Sequence, residues 1–246
     1  MKVQHETRTL GPLTCHVIQP EDQAGSPDLS VVMCHGFGAA GDDLVGLGPE
    51  MMSQIDGANG LRFYFPEAPL SLLEMGIPGG RAWWMLDLEM LALAAEGKLE
   101  RDQRDDTPEG LVSAREQLTE TVAEIQKETG LPMSRIVLGG FSQGSMVTTD
   151  LALLGEEAPA ALIVYSGTLL CQEQWKQGAA ARESLTVVQS HGRQDPILPF
   201  RVAEDLRDLL IGSGCEVKFL PFDGPHTIPQ IAFEESINLL DRLLAE

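Results

Sequence analysis

The chain has 246 residues, 43% of them hydrophobic and 22% charged, which suits one large α/β domain with a sizeable core and excludes wholesale disorder. Its 17 Lys and Arg stand against 37 Asp and Glu, a formal charge of −20, and with no basic run in the chain this argues against nucleic acid as a partner. The four cysteines, Cys15, Cys34, Cys171 and Cys215, form neither a CxxC pair nor a zinc-like Cys/His spacing, so no metal is expected and the thiols read as reduced, placing the protein in the cytoplasm. The stretch Met1 to Thr7 carries no apolar signal region, and no run approaches the ~18 residues of a membrane span, so stable membrane insertion is not expected.

In chain order, Val3 to Pro20 reads as two short strands around a turn at Gly11-Pro12, an edge hairpin. A polar Gly/Ser/Pro loop, 21–28, leads into the apolar run Leu29 to Cys34 and then His35-Gly36. A helix fits Asp42 to Gln54. Short, near-continuous apolar runs recur at Leu61 to Phe65, Ile136 to Leu138, Ala161 to Tyr165, Leu185 to Val188 and Val217 to Leu220, the pattern of parallel strands covered on both faces.

Helical stretches alternate with these runs. The clearest is Thr107 to Thr129, with Thr107 as N-cap, Pro108 at the first helical position and Gly130 as stop. Leu111, Ala114, Leu118, Val122 and Ile125 form its apolar stripe. Helices also fit Gln143 to Leu154 and Phe200 to Ser213. The last helix spaces Phe233, Ile237, Leu240 and Leu244 in the same way. This alternation predicts a single domain over residues 1–246 with a mostly parallel, doubly wound sheet and helices on both faces. One segment breaks the rhythm. Residues 66–106, with Leu72, Leu73, Met75 and Trp83-Trp84, read as an apolar loop or flap insertion, either a crossover packed on the sheet or a wall beside a site.

The chemistry concentrates at Gly140-Phe141-Ser142-Gln143-Gly144, which follows a strand and precedes a helix. That is G-x-S-x-G in the strand–turn–helix context of a nucleophile elbow. Such a turn strains the serine, leaves no room for side chains at 140 and 144, and points a helix N-terminus at the reacting centre. A serine needs a base. Of the five histidines, His191 and His226 follow Ser142, and His226, in the loop after the last strand, is favoured over His191 at a strand end. The acid that orients it is read as Asp195, in a loop beyond a buried strand, with Asp223 as runner-up. In its structural reading, Asp195 only forms an Asx turn before Pro196. Oxyanion donors are expected from the backbone N–H of Gln143 and from the loop His35-Gly36-Phe37-Gly38, at Phe37. His35 reads as a buried, hydrogen-bonded support.

These pieces resemble the phospholipase/carboxylesterase branch of the α/β-hydrolases, which includes acyl-protein thioesterases. The resemblance runs from about Ser30 to the C-terminus. It rests on His35-Gly36-Phe37-Gly38, Pro66-Glu67-Ala68-Pro69, Arg81-Ala82-Trp83-Trp84, Leu138 to Ser145, Tyr165-Ser166-Gly167, His191 to Pro196 and Gly224 to Ile228. It implies an α/β-hydrolase fold, the triad Ser142, Asp195 and His226, and oxyanion N–H groups of Phe37 and Gln143. The expected activity is cleavage of carboxylic esters without a cofactor, on a small-molecule ester or acyl substrate, with lysophospholipase or acyl-(protein) thioesterase as alternatives. A non-catalytic binding protein on a hydrolase fold is the rival from another class. Trp83, Trp84, Leu72 and Met75 are expected to bind the acyl group, and an apolar patch there would be either a substrate groove or a homodimer face.

Overall fold

The computed structural model describes residues 2–23, 25–86, 105 and 107–246. The expected edge hairpin is β1 (Val3–Leu10) with β2 (Leu13–Pro20), antiparallel in register Leu10↔Leu13 around the turn. The central strands are β3 (Leu29–Cys34), β4 (Leu61–Pro66), β7 (Ile136–Phe141), β8 (Ala161–Tyr165), β9 (Thr186–Gly192) and β10 (Glu216–Phe222). Between β4 and β7, a separate two-stranded ribbon pairs β5 (Leu70–Ser71) with β6 (Arg81–Ala82).

The large sheet runs β1-β2-β4-β3-β7-β8-β9-β10. From β4 to β10 all neighbours are parallel, and β2 joins β4 antiparallel. Strands β3, β7 and β8 are buried throughout apart from Phe141, as their unbroken apolar runs predict. The chain moves from β3 outward to β4, then returns to place β7 on the other side of β3. The carboxyl ends of β3 and β7 therefore flank a switch point in strand order, the usual place for a site in an open α/β sheet.

Helices cover both faces. On one lie α2 (Leu111–Thr129), α3 (Gln143–Leu154), α4 (Gln172–Ala179) and α5 (Phe200–Gly212), which bury Leu118, Val147, Trp175 and Leu206 among others. On the other lie α1 (Leu47–Met52) and α6 (Gln230–Ala245), with Met51, Met52, Phe233, Ile237 and Leu240. Each such side chain, fully buried, contributes about 1.5–3 kcal/mol. The five-residue stripe of α2 is buried as read, and Gly130 ends that helix at φ 73 with its N–H on Gln126 O.

Two boundaries differ from the sequence reading. Helix α2 starts at Leu111 behind Gly110 at φ 92. Thr107 is not its N-cap; its hydroxyl instead meets Gln174 Nε2 at 3.3 Å. The left-handed Gly110 turns the chain sharply into the helix, which a run started at Pro108 would not need. The helix expected over 42–54 shrinks to Leu47–Met52, after a series of turns through residues 41–46. Gly41 lies against Glu67, where a Cβ would overlap that side chain, so the chain here packs on the 66–69 segment rather than winding. Of the loop or flap insertion read over 66–106, residues 87–104 and 106 lie outside the described residues.

Candidate active site

Ser142 caps the N-terminus of α3 at φ 54, ψ −124, a conformation that L-residues rarely adopt. The strain is held from both sides. Ser142 N–H donates to Tyr165 O at 2.8 Å. The flanking glycines let the elbow press against the end of β3: a Cβ on Gly140 would stand 2.6 Å from Cys34 O, and one on Gly144 would overlap Cys34 O and His35 O. Helix α3 then aims its unpaired N-terminal N–H groups at the space in front of Ser142.

His226 and Asp195 come together. His226 Nδ1–H donates to Asp195 Oδ2 at 2.6 Å. Asp195 Oδ1 accepts the backbone N–H of Ile197 at 2.8 Å and of Leu198 at 2.9 Å. The two carboxylate oxygens of Asp195 thus have separate partners, Oδ1 the N–H groups of an Asx turn and Oδ2 the ring of His226. Burial alone would raise the Asp195 carboxyl, but the bonds from His226, Leu198 and Ile197 outweigh it and hold its pKa below the usual carboxylate value. Asp223 is exposed and meets Arg193 instead, at 3.7 Å.

The loops that carry acid and base are laced together. Arg193 N–H donates to Phe222 O at 2.8 Å and Gln194 N–H to Gly224 O at 3.1 Å. Gly192 allows this approach, since a Cβ there would overlap Gly224 O and Pro225 O. Ser166 Oγ donates to Thr227 O at 3.0 Å, tying the same loop to the end of β8. The ring of Phe141, next to Ser142, lies 4.7 Å from the imidazole of His226. Ser142 thus stands at the same carboxyl end of the sheet as the bonded pair His226 and Asp195, with the Phe141 ring against His226.

His191 is fully buried. Its Nε2–H points at Leu198 O at 2.9 Å and lies 3.3 Å from Asp195 Oδ2. Burial lowers its pKa, so it stays a neutral donor bracing the acid loop. The sequence offered it only as a rival base. The neighbour on Asp195 was visible as an i, i+4 spacing but not as a contact.

The loop His35-Gly36-Phe37-Gly38 lies against Ser142. A Cβ on Gly36 would lie 3.3 Å from Ser142 Cβ, and Gly38 turns the loop at φ 82. Among the described residues, no backbone carbonyl takes the N–H of Phe37 or of Gln143. His35 is buried and doubly bonded, as read. Ala68 N–H donates to its Nε2 at 3.0 Å, so Nδ1 carries the proton and donates to Gly36 O at 2.9 Å. Burial lowers its pKa, which keeps the ring neutral.

The expected acyl-binding residues fare differently. Trp83, Trp84 and Leu72 are buried, at 1%, 1% and 0% exposure, and offer a substrate almost no surface, whereas Met75 is exposed. Trp83 braces the 35–38 loop, its Nε1–H donating to His35 O at 2.9 Å. A residue whose side chain the sequence did not single out is Gln143, also buried. Its Oε1 accepts Trp83 N–H at 2.9 Å and its Nε2–H donates to Trp84 O at 2.8 Å. The Arg81-x-Trp83-Trp84 stretch was the one hint, because its clustering of tryptophan beside small residues marks a tightly packed segment.

Among the described residues, no cluster of three or more His, Cys, Asp or Glu side chains is placed to hold a metal ion, and no helix is long and apolar enough to cross a membrane. Thiol chemistry has no foothold at Cys15 or Cys34. Burial raises the pKa of Cys15 to about 12 and that of Cys34 well above its ordinary value.

Comparison with known proteins agrees with this architecture. The chain is 26% identical to acyl-protein thioesterase 1 of Neurospora crassa over 204 residues, 79% of this chain and 78% of that protein. It is 25% identical to acyl-protein thioesterase 1 of Cryptococcus neoformans over 207 residues, 83% of this chain and 82% of that one. The crystal structure of esterase PE8 superposes with a TM-score of 0.74 at 26% identity, covering 99% of this chain and all of that one. The family model described as phospholipase/carboxylesterase matches residues 13–244. The chain therefore belongs to the phospholipase/carboxylesterase family of α/β-hydrolases.

Proposed function

We propose that this hydrolase cleaves carboxylic esters through an acyl-enzyme on Ser142. His226 Nε2 takes the Ser142 hydroxyl proton as Oγ attacks the acyl carbonyl carbon. The carbonyl oxygen becomes an oxyanion held by the N–H groups of Gln143 and Phe37 and by the α3 dipole. As the intermediate collapses, His226 returns the proton to the leaving alcohol. Water, deprotonated by the same histidine, then releases the acid and restores Ser142. Asp195 holds the Nδ1–H tautomer and stabilises the imidazolium without taking its proton. The observation that carries this reading is the 2.6 Å bond from His226 to Asp195 at the sheet end where strained Ser142 opens α3.

The relatives' names favour a second reading on the same machinery, an acyl thioester as substrate. For either, an apolar acyl chain suits the surface around the 70–82 excursion, which leaves Leu73 and Met75 exposed and abuts the oxyanion loop through Gly38 N–H on Arg81 O at 2.9 Å. The buried thiols Cys15, Cys34 and Cys215, none in a disulfide, suit a reducing compartment such as the cytoplasm.

The test is kcat/KM over p-nitrophenyl esters from acetate to palmitate, with an acyl-coenzyme A thioester alongside. A carboxylesterase gives a maximum at a short or medium chain and a lower value on the thioester. A thioester value higher by tenfold or more would move the assignment to thioesterase, and hydrolysis of neither would return weight to a binding protein.

A further inference from the structure

Gln143 carries one of the two oxyanion donors on its backbone, and its side chain is bound to the structure that carries the other. Its carboxamide sits against residues 83 and 84 as a short strand would, accepting one backbone N–H and donating to the next carbonyl. Those residues continue β6, and the 81–83 stretch grips the Phe37 loop at three points. Trp83 Nε1–H donates to His35 O at 2.9 Å. Gly38 N–H donates to Arg81 O at 2.9 Å, and Arg81 N–H donates to Ala39 O at 3.0 Å. The grips fall on both sides of Phe37 and leave its own N–H untaken by the backbone. Arg81 is steadied in turn, with Nε donating to Ala68 O at 2.6 Å, and Ala68 N–H bonds His35.

We propose that the Gln143 side chain is a positioning residue that sets the spacing of the two oxyanion donors, by clamping the Trp83-Trp84 backbone from which the Phe37 loop is held. Gln143 is only 1% exposed, so its amide has no surface to offer a substrate and acts through these contacts alone. The inference rests on the acyl-enzyme reading above and adds to it a reason for this residue type: a side chain with one donor and one acceptor at the right reach. Deleting an oxyanion donor costs about 10²–10³ in turnover, and a donor merely displaced costs less.

Gln143→Met tests this, since it keeps the length and the backbone N–H but removes both side-chain bonds. A p-nitrophenyl ester reports turnover. A trifluoromethyl ketone of similar shape reports the oxyanion, because Ser142 Oγ adds to its carbonyl carbon, the hydroxyl proton passes to His226 Nε2, and the carbonyl oxygen is left negatively charged in the same pocket. The expected result is a fall in kcat of about 10- to 100-fold with KM within about threefold, and a matching 10- to 100-fold rise in the inhibition constant of the ketone. A purely structural role would lower thermal stability without this paired loss. Trp83→Phe, which removes the bond to His35 O and part of the buried ring but keeps the Trp83 backbone N–H on Gln143, is the second variant and keeps the question open to refutation if the first does not fold. Its expected loss is about 3- to 10-fold, again paired. Wild-type kcat and ketone affinity in a folded Gln143→Met or Trp83→Phe enzyme would overturn the proposal, as would a loss of kcat without a loss of ketone affinity. The acyl-enzyme reading fails separately, in a wild-type enzyme that hydrolyses the ester but is not inhibited by the ketone.

Discussion

Asp195→Asn is expected to lower kcat about 10⁴-fold, with KM and fold little changed. The loss comes from the tautomer of His226. In the native protein Oδ1 accepts two backbone N–H groups and Oδ2 accepts His226 Nδ1–H. An asparagine keeps its oxygen on the two backbone donors, because turning its NH₂ toward them would set donor against donor. Its NH₂ then faces His226, which must present Nδ1 as an acceptor and carry its proton on Nε2. A ring in that state cannot take the proton of Ser142. Steady-state kinetics, with circular dichroism to verify the fold, check this, and activity within tenfold of wild type would contradict it. The depressed pKa of Asp195 also has a sign for stability. Its contribution is full above the usual carboxylate range and is lost as pH falls through the lowered value, so the asparagine variant should lose less stability on acidification than the wild type.

Gly144→Ala is expected to destabilise the protein by about 4 kcal/mol or more, lowering Tm by about 10 °C or preventing folding. The atoms in the way are backbone atoms of Cys34 and His35, which cannot rotate aside as a side chain could. Relief would require the end of β3 to separate from α3, opening the sheet where Cys34 pairs with Gly140. Gly46→Ala is the control, at φ −59 and with nothing within 4 Å of its would-be Cβ, and should change stability by about 0.5 kcal/mol or less. Thermal melts of both decide it, and equal Tm values would mean the elbow is not packed as described.

Much of this was legible from the sequence because it depends on local pattern. The strand Ala161–Tyr165 and the helix Gln143–Leu154 have the bounds read from the chain, since an unbroken apolar run or a glycine elbow marks its own limits. Ser142, Asp195 and His226 stand out as candidates for the same reason, Ser142 between Gly140 and Gly144, Asp195 before Pro196 and His226 after Pro225, each beyond an apolar run. What escaped was set by distant partners. In one dimension Trp83 and Trp84 suit a packed crossover and an apolar wall equally. Their burial depends on His35 and Gln143, about 50 and 60 residues away in the chain, and no periodicity shows such pairing. Thr107 makes a plausible cap until Gly110 takes a left-handed conformation that propensity does not foresee. Asp195 was weighed as either turn former or catalytic acid because a sequence lets a carboxylate be named once, whereas its two oxygens have separate partners.

Whether Ser142 forms the acyl-enzyme is tested by a fluorophosphonate, from which Ser142 Oγ would displace fluoride, read by intact mass and then by peptide mapping. The expected result is one adduct per chain, on the peptide that contains Ser142, with hydrolysis lost in step with labelling, and neither labelling nor turnover in a folded Ser142→Ala protein. An active enzyme that stays unlabelled, or a Ser142→Ala variant that turns over ester at the wild-type rate, would contradict it.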